Sequence, residues 1–281
     1  MNINRIAVAL AATAIAGSAM AADLPSRKAP PIVVAPAPIF TWTGFYVGAN
    51  VGWAGVRASN DYYTPGDPAA PFFLVPDAIA ISAGGYNSFR QDRVTFGGQI
   101  GYNYQMGMLV LGLEADMNYL GASRSAFAAV PTPAAGNVFY GTRAGADWML
   151  TVRPRLGVAV GRFLPYVTGG LALVKNRYEQ SVFFPGVSAS PDLFVDNSTE
   201  AGWTLGGGVE WAFAPNWSIK AEYLHVFQPK KTFTTFTTSP YAGDLRLIPY
   251  TRRISRSIDT VRVGVNYKFG WGAPAPVVAR Y

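Results

Sequence analysis

Val94-Thr95-Phe96-Gly97-Gly98-Gln99-Ile100-Gly101-Tyr102-Asn103-Tyr104-Gln105-Met106 carries the fold in its spacing. Every second residue, Val94, Phe96, Gly98, Ile100, Tyr102, Tyr104 and Met106, forms a set dominated by apolar and aromatic side chains. The alternate set is Thr95, Gly97, Gln99, Gly101, Asn103 and Gln105, small and polar. Side chains of a strand point alternately to opposite faces, so the segment is predicted to be a strand with one greasy and one polar face.

The same period of two recurs about eight times. A first strand, Trp42 to Ala54, sets Phe45, Val47, Ala49, Val51 and Trp53 against Tyr46, Gly48, Asn50 and Gly52. The segment above is the second. The third sets Leu109, Leu111, Leu113, Ala115, Met117 and Tyr119 against Gly112, Glu114, Asp116 and Asn118. The fourth sets Trp148, Leu150, Val152, Leu156, Val158 and Val160 against Thr151, Arg153, Arg155 and Gly157. Pro154 lies within it and cannot donate to a ladder, which either weakens the strand there or marks a bulge. The fifth is weaker, with Val167, Leu171 and Leu173 against Tyr166, Thr168, Gly170 and Ala172. The sixth sets Trp203, Leu205, Val209, Trp211 and Phe213 against Thr204, Gly206, Gly208 and Glu210. The seventh sets Trp217, Ile219, Ala221, Tyr223 and Phe227 against Ser218, Lys220 and Glu222. The eighth sets Ile258, Val261, Val263, Val265, Tyr267 and Phe269 against Arg262, Gly264, Asn266 and Lys268. The change of face between Ile258 and Val261 predicts a bulge or a later start.

Connections alternate in length. Those near Gly107, Gly161–Leu164 and Ala214–Asn216 are short. Those over Gly55–Asp92, Leu120–Ala144, Asn176–Ala201 and Gln228–Ser257 are long. Short turns at one end and four long, extracellular loops at the other describe an all-β fold, an up-and-down antiparallel β-barrel that spans an outer membrane.

The first residues agree. Met1 to Arg5 carries one positive side chain, Ile6 to Ala16 is apolar, and Ala19-Met20-Ala21 is a small-x-small cleavage site. This is the pattern of a secretory signal peptide, residues 1–21. Residues 22–41 form a proline-rich lead, expected to be extended on the periplasmic side. The barrel then occupies 42–271 and a tail 272–281. No later stretch has the roughly 18 uninterrupted apolar residues of a membrane helix. The absence of cysteine excludes disulfides, thiolate metal sites and cysteine nucleophiles. Charged residues make up 14% of the chain, too few to coat a soluble domain of this size.

The rival architecture is a soluble eight-stranded barrel with its apolar face inward. The apolar faces supply too many large side chains for so narrow a lumen, whereas the glycine-rich faces suit it. The aromatics also cluster at strand ends. Trp42, Trp211, Trp217 and Trp271 fall at the short-turn side with Tyr104, Phe213, Tyr267 and Phe269. Trp53, Trp148 and Trp203 fall at the long-loop side with Tyr119. Two such girdles match the two headgroup levels of a bilayer.

Several segments resemble the small outer-membrane β-barrel (porin-family) surface proteins of alphaproteobacteria, related to opacity proteins and the OmpA membrane domain. They are Ala22-Asp23-Leu24-Pro25, Trp42-Thr43-Gly44-Phe45-Tyr46-Val47-Gly48, Pro165-Tyr166-Val167-Thr168-Gly169-Gly170, Lys220-Ala221-Glu222-Tyr223 and Val261-Arg262-Val263-Gly264-Val265-Asn266-Tyr267-Lys268-Phe269. The resemblance implies an outer-membrane location, structural and surface roles and no catalytic residues. It implies outer-membrane lipids, lipopolysaccharide and the outer-membrane assembly machinery as partners. Chains of this group commonly end at the equivalent of Phe269; here Gly270–Tyr281 follow, so the assembly signal is either Phe269 or Tyr281.

Nine charged residues share the predicted lumen: Glu114, Asp116, Arg153, Arg155, Glu210, Lys220, Glu222, Arg262 and Lys268. Opposite charges in a narrow barrel must pair. They are expected to form a salt-bridged plug; the alternative is a small ion path. His225, the sole histidine, falls on the apolar face near the rim, and the sequence places no serine and acid beside it for hydrolase chemistry. A basic set in the last long loop, Lys230, Lys231, Arg246, Arg252, Arg253 and Arg256, is a candidate contact for lipopolysaccharide phosphates. No metal spacing, cofactor motif or nucleic-acid module is found. Three roles remain open on this reading: envelope structure, a small low-conductance porin, and surface binding through the loops. Oligomeric state is not legible.

Overall fold

The computed structural model describes residues 40–63, 75–133, 136–183, 185, 191–236 and 249–269. The stretch expected as a signal peptide, the lead before Phe40, Arg246, Trp271 and the tail lie outside the described residues.

Alternating sequence becomes strand throughout. The elements are β1 (Gly44–Tyr63), α1 (Val75–Gly84), β2 (Asn87–Met106), β3 (Leu109–Thr132), β4 (Gly136–Val158), β5 (Phe163–Phe183), β6 (Asp192–Asp196), β7 (Thr199–Trp211), β8 (Trp217–Phe227), β9 (Lys231–Phe236) and β10 (Pro249–Lys268). Neighbours pair antiparallel in the order β1-β2-β3-β4-β5-β7-β8-β10, and β10 returns to β1. The ring therefore closes with eight strands and leaves no open edge, as a sheet facing hydrocarbon requires. The β1–β10 seam is the longest unbroken register, from Tyr46↔Lys268 to Tyr63↔Thr251.

β6 and β9 extend two of these eight strands. β6 pairs with β5 in the register that β7 continues, interrupted at Asn197–Ser198. β9 pairs with β10 one residue out of step with β8. Phe194 of β6 and Phe233 of β9 meet across the gap, ring centroids 5.5 Å apart.

Short turns match expectation. Gly107 and Gly161 each have φ of 61°, a left-handed conformation that glycine adopts without strain. The long connections do not follow the sequence boundaries. Strands β1 to β5 run 20–24 residues, about twice the roughly 9–11 needed to cross a bilayer. Much of the four stretches expected as loops is strand, forming a barrel extension beyond the outward apolar belt. The lipid-facing signal fades there because both faces become mixed. The register shifts by one residue at two bulges, around Leu120–Gly121 in β3 and Asp147–Trp148 in β4, and at the second the inward parity of β4 changes from even to odd.

Two other expectations are corrected. Pro154 causes no register shift: β4 keeps step with β5 on either side of it, and the Pro154 carbonyl accepts from Thr168 Oγ1 at 2.9 Å. No bulge separates Ile258 from Val261; β10 stays in register with β1, so Ile258 points inward and is buried.

The outward face is apolar as read. Ile100 is 61% exposed, Trp53 65% and Trp203 66%, with Val51, Leu113, Val167 and Val263 on the same surface. Trp211, Phe213, Trp217 and Phe269 form the girdle at the short-turn end, joined by Tyr267, whose ring lies 5.0 Å from Trp217. Trp148 sits half-buried in the β4 bulge opposite Tyr119. Trp42 is not in the girdle. It precedes β1 with inward parity, is buried, and its amide donates to Gln105 Oε1 at 2.8 Å. With Val110, Ala159, Leu164 and Ala212 it makes an apolar plug inside the short-turn mouth.

Candidate functional site

Inside the ring the residues are layered. Next above the Trp42 plug lies a charged core. β3 supplies Glu114 and Asp116, β4 Arg153 and Arg155, β7 Glu210, β8 Lys220 and Glu222, and β10 Arg262, each on the inward parity of its strand. Four cations meet four carboxylates, so the core is neutral.

The pairing is dense. Arg153, 0% exposed, places Nη2 2.8 Å from Glu114 Oε1 and 2.7 Å from Asp116 Oδ2, and Nη1 3.1 Å from Glu222 Oε2. Arg262 reaches Asp116 at 2.7 Å and Glu222 at 2.9 Å. Lys220 Nζ donates to both oxygens of Glu114, at 2.7 and 2.8 Å. Arg155 forms a second centre, 2.7 Å from Glu210, with its guanidinium 4.1 Å over the Tyr166 ring. Tyr46 joins the two centres: its hydroxyl donates to Glu114 Oε2 at 2.8 Å and accepts from Arg155 Nη1 at 3.1 Å.

Neutral polar groups on the same face complete the carboxylates' hydrogen bonding. Thr151 and Asn118 donate to Asp116; Ser218 and Asn266 donate to Glu210; Gln99 links Asn266 to Asn50. Tyr46, Tyr166, Thr151, Gln99, Ser218 and Asn266 were not singled out from sequence. Their signal was the same inward parity, but a search limited to charge passes over them. Glycines make the room: a Cβ on Gly112 would lie 2.7 Å from Arg155 Cγ, and one on Gly101 2.4 Å from the Tyr46 hydroxyl.

Lys268 does not join this core. It stands at the short-turn mouth, donating to the Thr41 carbonyl with Nζ 4.5 Å from the Phe40 ring centre.

Above the charges a second apolar layer crosses the lumen: Ala54, Val56, Leu120, Met149, Val174 and Ile258, with small residues between them. The charged core is thus enclosed between two greasy layers. Such a neutralised, hydrogen-bonded cluster holds strands together, and removal of one partner strands a buried charge.

The basic set divides. Arg252 and Arg256 are buried inside the extension, not on the surface, because β10 runs through the stretch read as a loop and their even parity points inward. Arg256 Nη1 and Lys231 Nζ both bind Glu200 Oε1, at 2.8 and 2.9 Å. Lys230 and Arg253 are exposed. On the outer face His225 does have an acid: its Nδ1 lies 2.6 Å from Asp259 Oδ1, while Arg57 and Tyr223 bind the same carboxylate. No serine hydrogen-bonds to His225 among the described residues.

The chain matches the outer membrane protein beta-barrel domain over residues 7–269. It belongs to that family, and the barrel is an outer-membrane barrel. It is 33% identical over 268 residues to the 31 kDa outer-membrane immunogenic protein of Brucella melitensis, covering 94% of this chain and 99% of the relative. It is 31% identical over 195 residues to the 22 kDa outer membrane protein of Rhizobium leguminosarum, covering 66% and 74%. Among solved structures, Ail of Yersinia pestis matches at TM-score 0.35 and 12% identity, covering 80% of this chain and 99% of that one. The alphaproteobacterial relatives are outer-membrane proteins named for location and immunogenicity, not for catalysis.

Proposed function

We propose that this barrel is a closed structural element of the outer membrane, neither a diffusion channel nor an enzyme. The observation that carries the reading is the neutral four-against-four charged core, buried between the Trp42 plug and the Ile258 layer. A hydrated path would have to part charge pairs of 2.7–3.1 Å that each stabilise a neighbouring strand. The test is single-channel conductance of purified protein in planar bilayers, where this reading expects no steps above the bare membrane. Regular conductance steps with the core intact would favour the porin reading.

The long-connection end is proposed to face outward, with the short turns in the periplasm, as outer-membrane barrels are generally built. Lipopolysaccharide is proposed as a partner of the outer wall there. Supporting this, Lys230 and Arg253 are exposed at that end, and arginine suits phosphate. Neutralising both should reduce the lipopolysaccharide that copurifies.

A further inference from the structure

Beyond the Ile258 layer lies a third level, covered in turn by α1. Ile81 and Ala78 of that helix pack on Tyr62, Val138, Tyr140 and Val182, and the Tyr140 hydroxyl donates to the Ile81 carbonyl at 3.0 Å. Between these two apolar layers the inward residues are mixed: Ala144, Tyr178 and Ile254 form a small apolar cluster with Phe194 and Phe233, and polar side chains surround it. β10 contributes Arg252 and Arg256, β5 Asn176, Tyr178 and Gln180, and the end of β8 Gln228, all buried.

Arg252 is the anomaly. It is 3% exposed, yet its Nε and Nη1 have no hydrogen-bond partner and no carboxylate pairs with it among the described residues. Its guanidinium instead lies 4.7 Å over the Phe194 ring and 5.6 Å from that of Tyr62. Aromatic faces steady a cation, but they replace little of the hydration a buried charge gives up. In the charged core below, every arginine meets at least one carboxylate. Glu200, bonded within this third level, is already held by Arg256 and Lys231, and Asp77 on α1, also buried, has a partner of its own.

The polar neighbours of Arg252 also carry unmet hydrogen-bonding atoms, nitrogens as well as the Oε1 atoms of Gln180 and Gln228. Arg256 Nη2, the Gln180 and Gln228 amide nitrogens and Asn176 Nδ2 are all buried and unpartnered. They are contiguous. Gln180 faces Phe194 across the β5–β6 pairing, Phe194 packs against Tyr178 at 6.2 Å, and Arg256 lies 6.0 Å from the Tyr178 ring. Gln228 follows the Phe227↔Ser257 pair, which brings it beside Arg256. Two guanidiniums of β10, with Gln228 beside them and Asn176 and Gln180 on β5, turn N–H groups inward at one level of the lumen. That arrangement suits a compact tetrahedral anion, with the arginine fork supplying charge and the amides direction.

We infer that this enclosed level is a binding site for a phosphate-class oxyanion, with Arg252 as its anchor and Arg256, Gln180, Gln228 and Asn176 as further donors. The anion neutralises the otherwise unpaired guanidinium and fills the open donors. The source is a small soluble phosphate compound that enters the lumen.

The test uses the full mature chain folded in an uncharged, phosphate-free detergent. Thermal unfolding is followed as inorganic phosphate replaces chloride at constant ionic strength. Binding to the folded state alone raises the melting temperature with concentration until it saturates. Arg252→Met should lower the apparent phosphate affinity by roughly tenfold or more, while melting close to wild type without phosphate, since the cation it removes has no carboxylate partner. Arg253→Gln, one residue along but outward, should respond as wild type does. If Arg252→Met does not fold, Gln180→Leu takes its place, with a weakened phosphate response expected. A wild-type melting point that phosphate moves no more than chloride overturns the inference. So does an equal phosphate response in wild type and Arg252→Met, or stabilisation by lipopolysaccharide with none by free phosphate, which would move the anion to the outer wall.

Discussion

Arg262 of the last strand and Asp116 of the third are joined across the lumen, Nη1 to Oδ1, at 2.7 Å. Three sheet pairings, β10–β1, β1–β2 and β2–β3, lie between them along the wall. The bridge therefore forms only when β10 has closed on β1. It ties seam closure to the charged core, so closure and neutralisation become one event. Arg262→Met should leave Asp116 and Glu222 undercompensated and cost about 3–5 kcal/mol. Adding Asp116→Asn should cost less than the sum of the two single changes, since they share one network. Denaturant unfolding in detergent measures both.

Arg153 is paired with three carboxylates. Arg153→Ala is expected to destabilise the barrel by about 3–5 kcal/mol. Conductance should stay at background because the apolar layers above and below remain. A stable current with unchanged melting would instead mark a pore.

The Trp42 plug can be tested separately. Trp42→Ala removes a buried indole, whose loss from a packed core costs about 3 kcal/mol. Conductance should not rise, since the charged core stands above the plug. A channel opening in this variant alone would make Trp42 a gate.

Orientation is open to chemistry because the chain has no cysteine. Lys230→Cys should react with an impermeant maleimide in intact cells. Asn216→Cys, in the short turn between β7 and β8, should react only after the outer membrane is broken. The opposite pattern would invert the barrel.

The end of the barrel is a further prediction. The Phe269 amide donates to the Phe45 carbonyl at 2.8 Å, and its ring packs on Tyr267 at 5.2 Å. Deleting residues 273–281 should leave a form that runs compact on unheated gels. Phe269→Asp should reduce assembly, because it puts a carboxylate at the lipid-facing seam. Assembly lost with the deletion and kept with Phe269→Asp would assign the signal to Tyr281.

The sequence by itself determined the eight-strand ring in its apolar belt, because a wall with lipid on one side and a narrow lumen on the other writes a period of two that residues such as Ile100 and Gln99 declare one by one. It also determined which charges face inward, Arg153 and Glu222 among them, because parity within a spanning strand leaves one choice. Tertiary structure decided the rest. Where β10 rises past the lipid, water replaces hydrocarbon outside, the alternation loses contrast, and Arg252 and Arg256 pass for loop cations. Only the seam with β1 turns them inward. The same holds for His225, whose acid lies 34 residues away and is set beside it by the β8–β10 register. Parity fixes a side chain's face, but which partners share that face depends on how strands are staggered around the ring, and that is settled only when the ring closes.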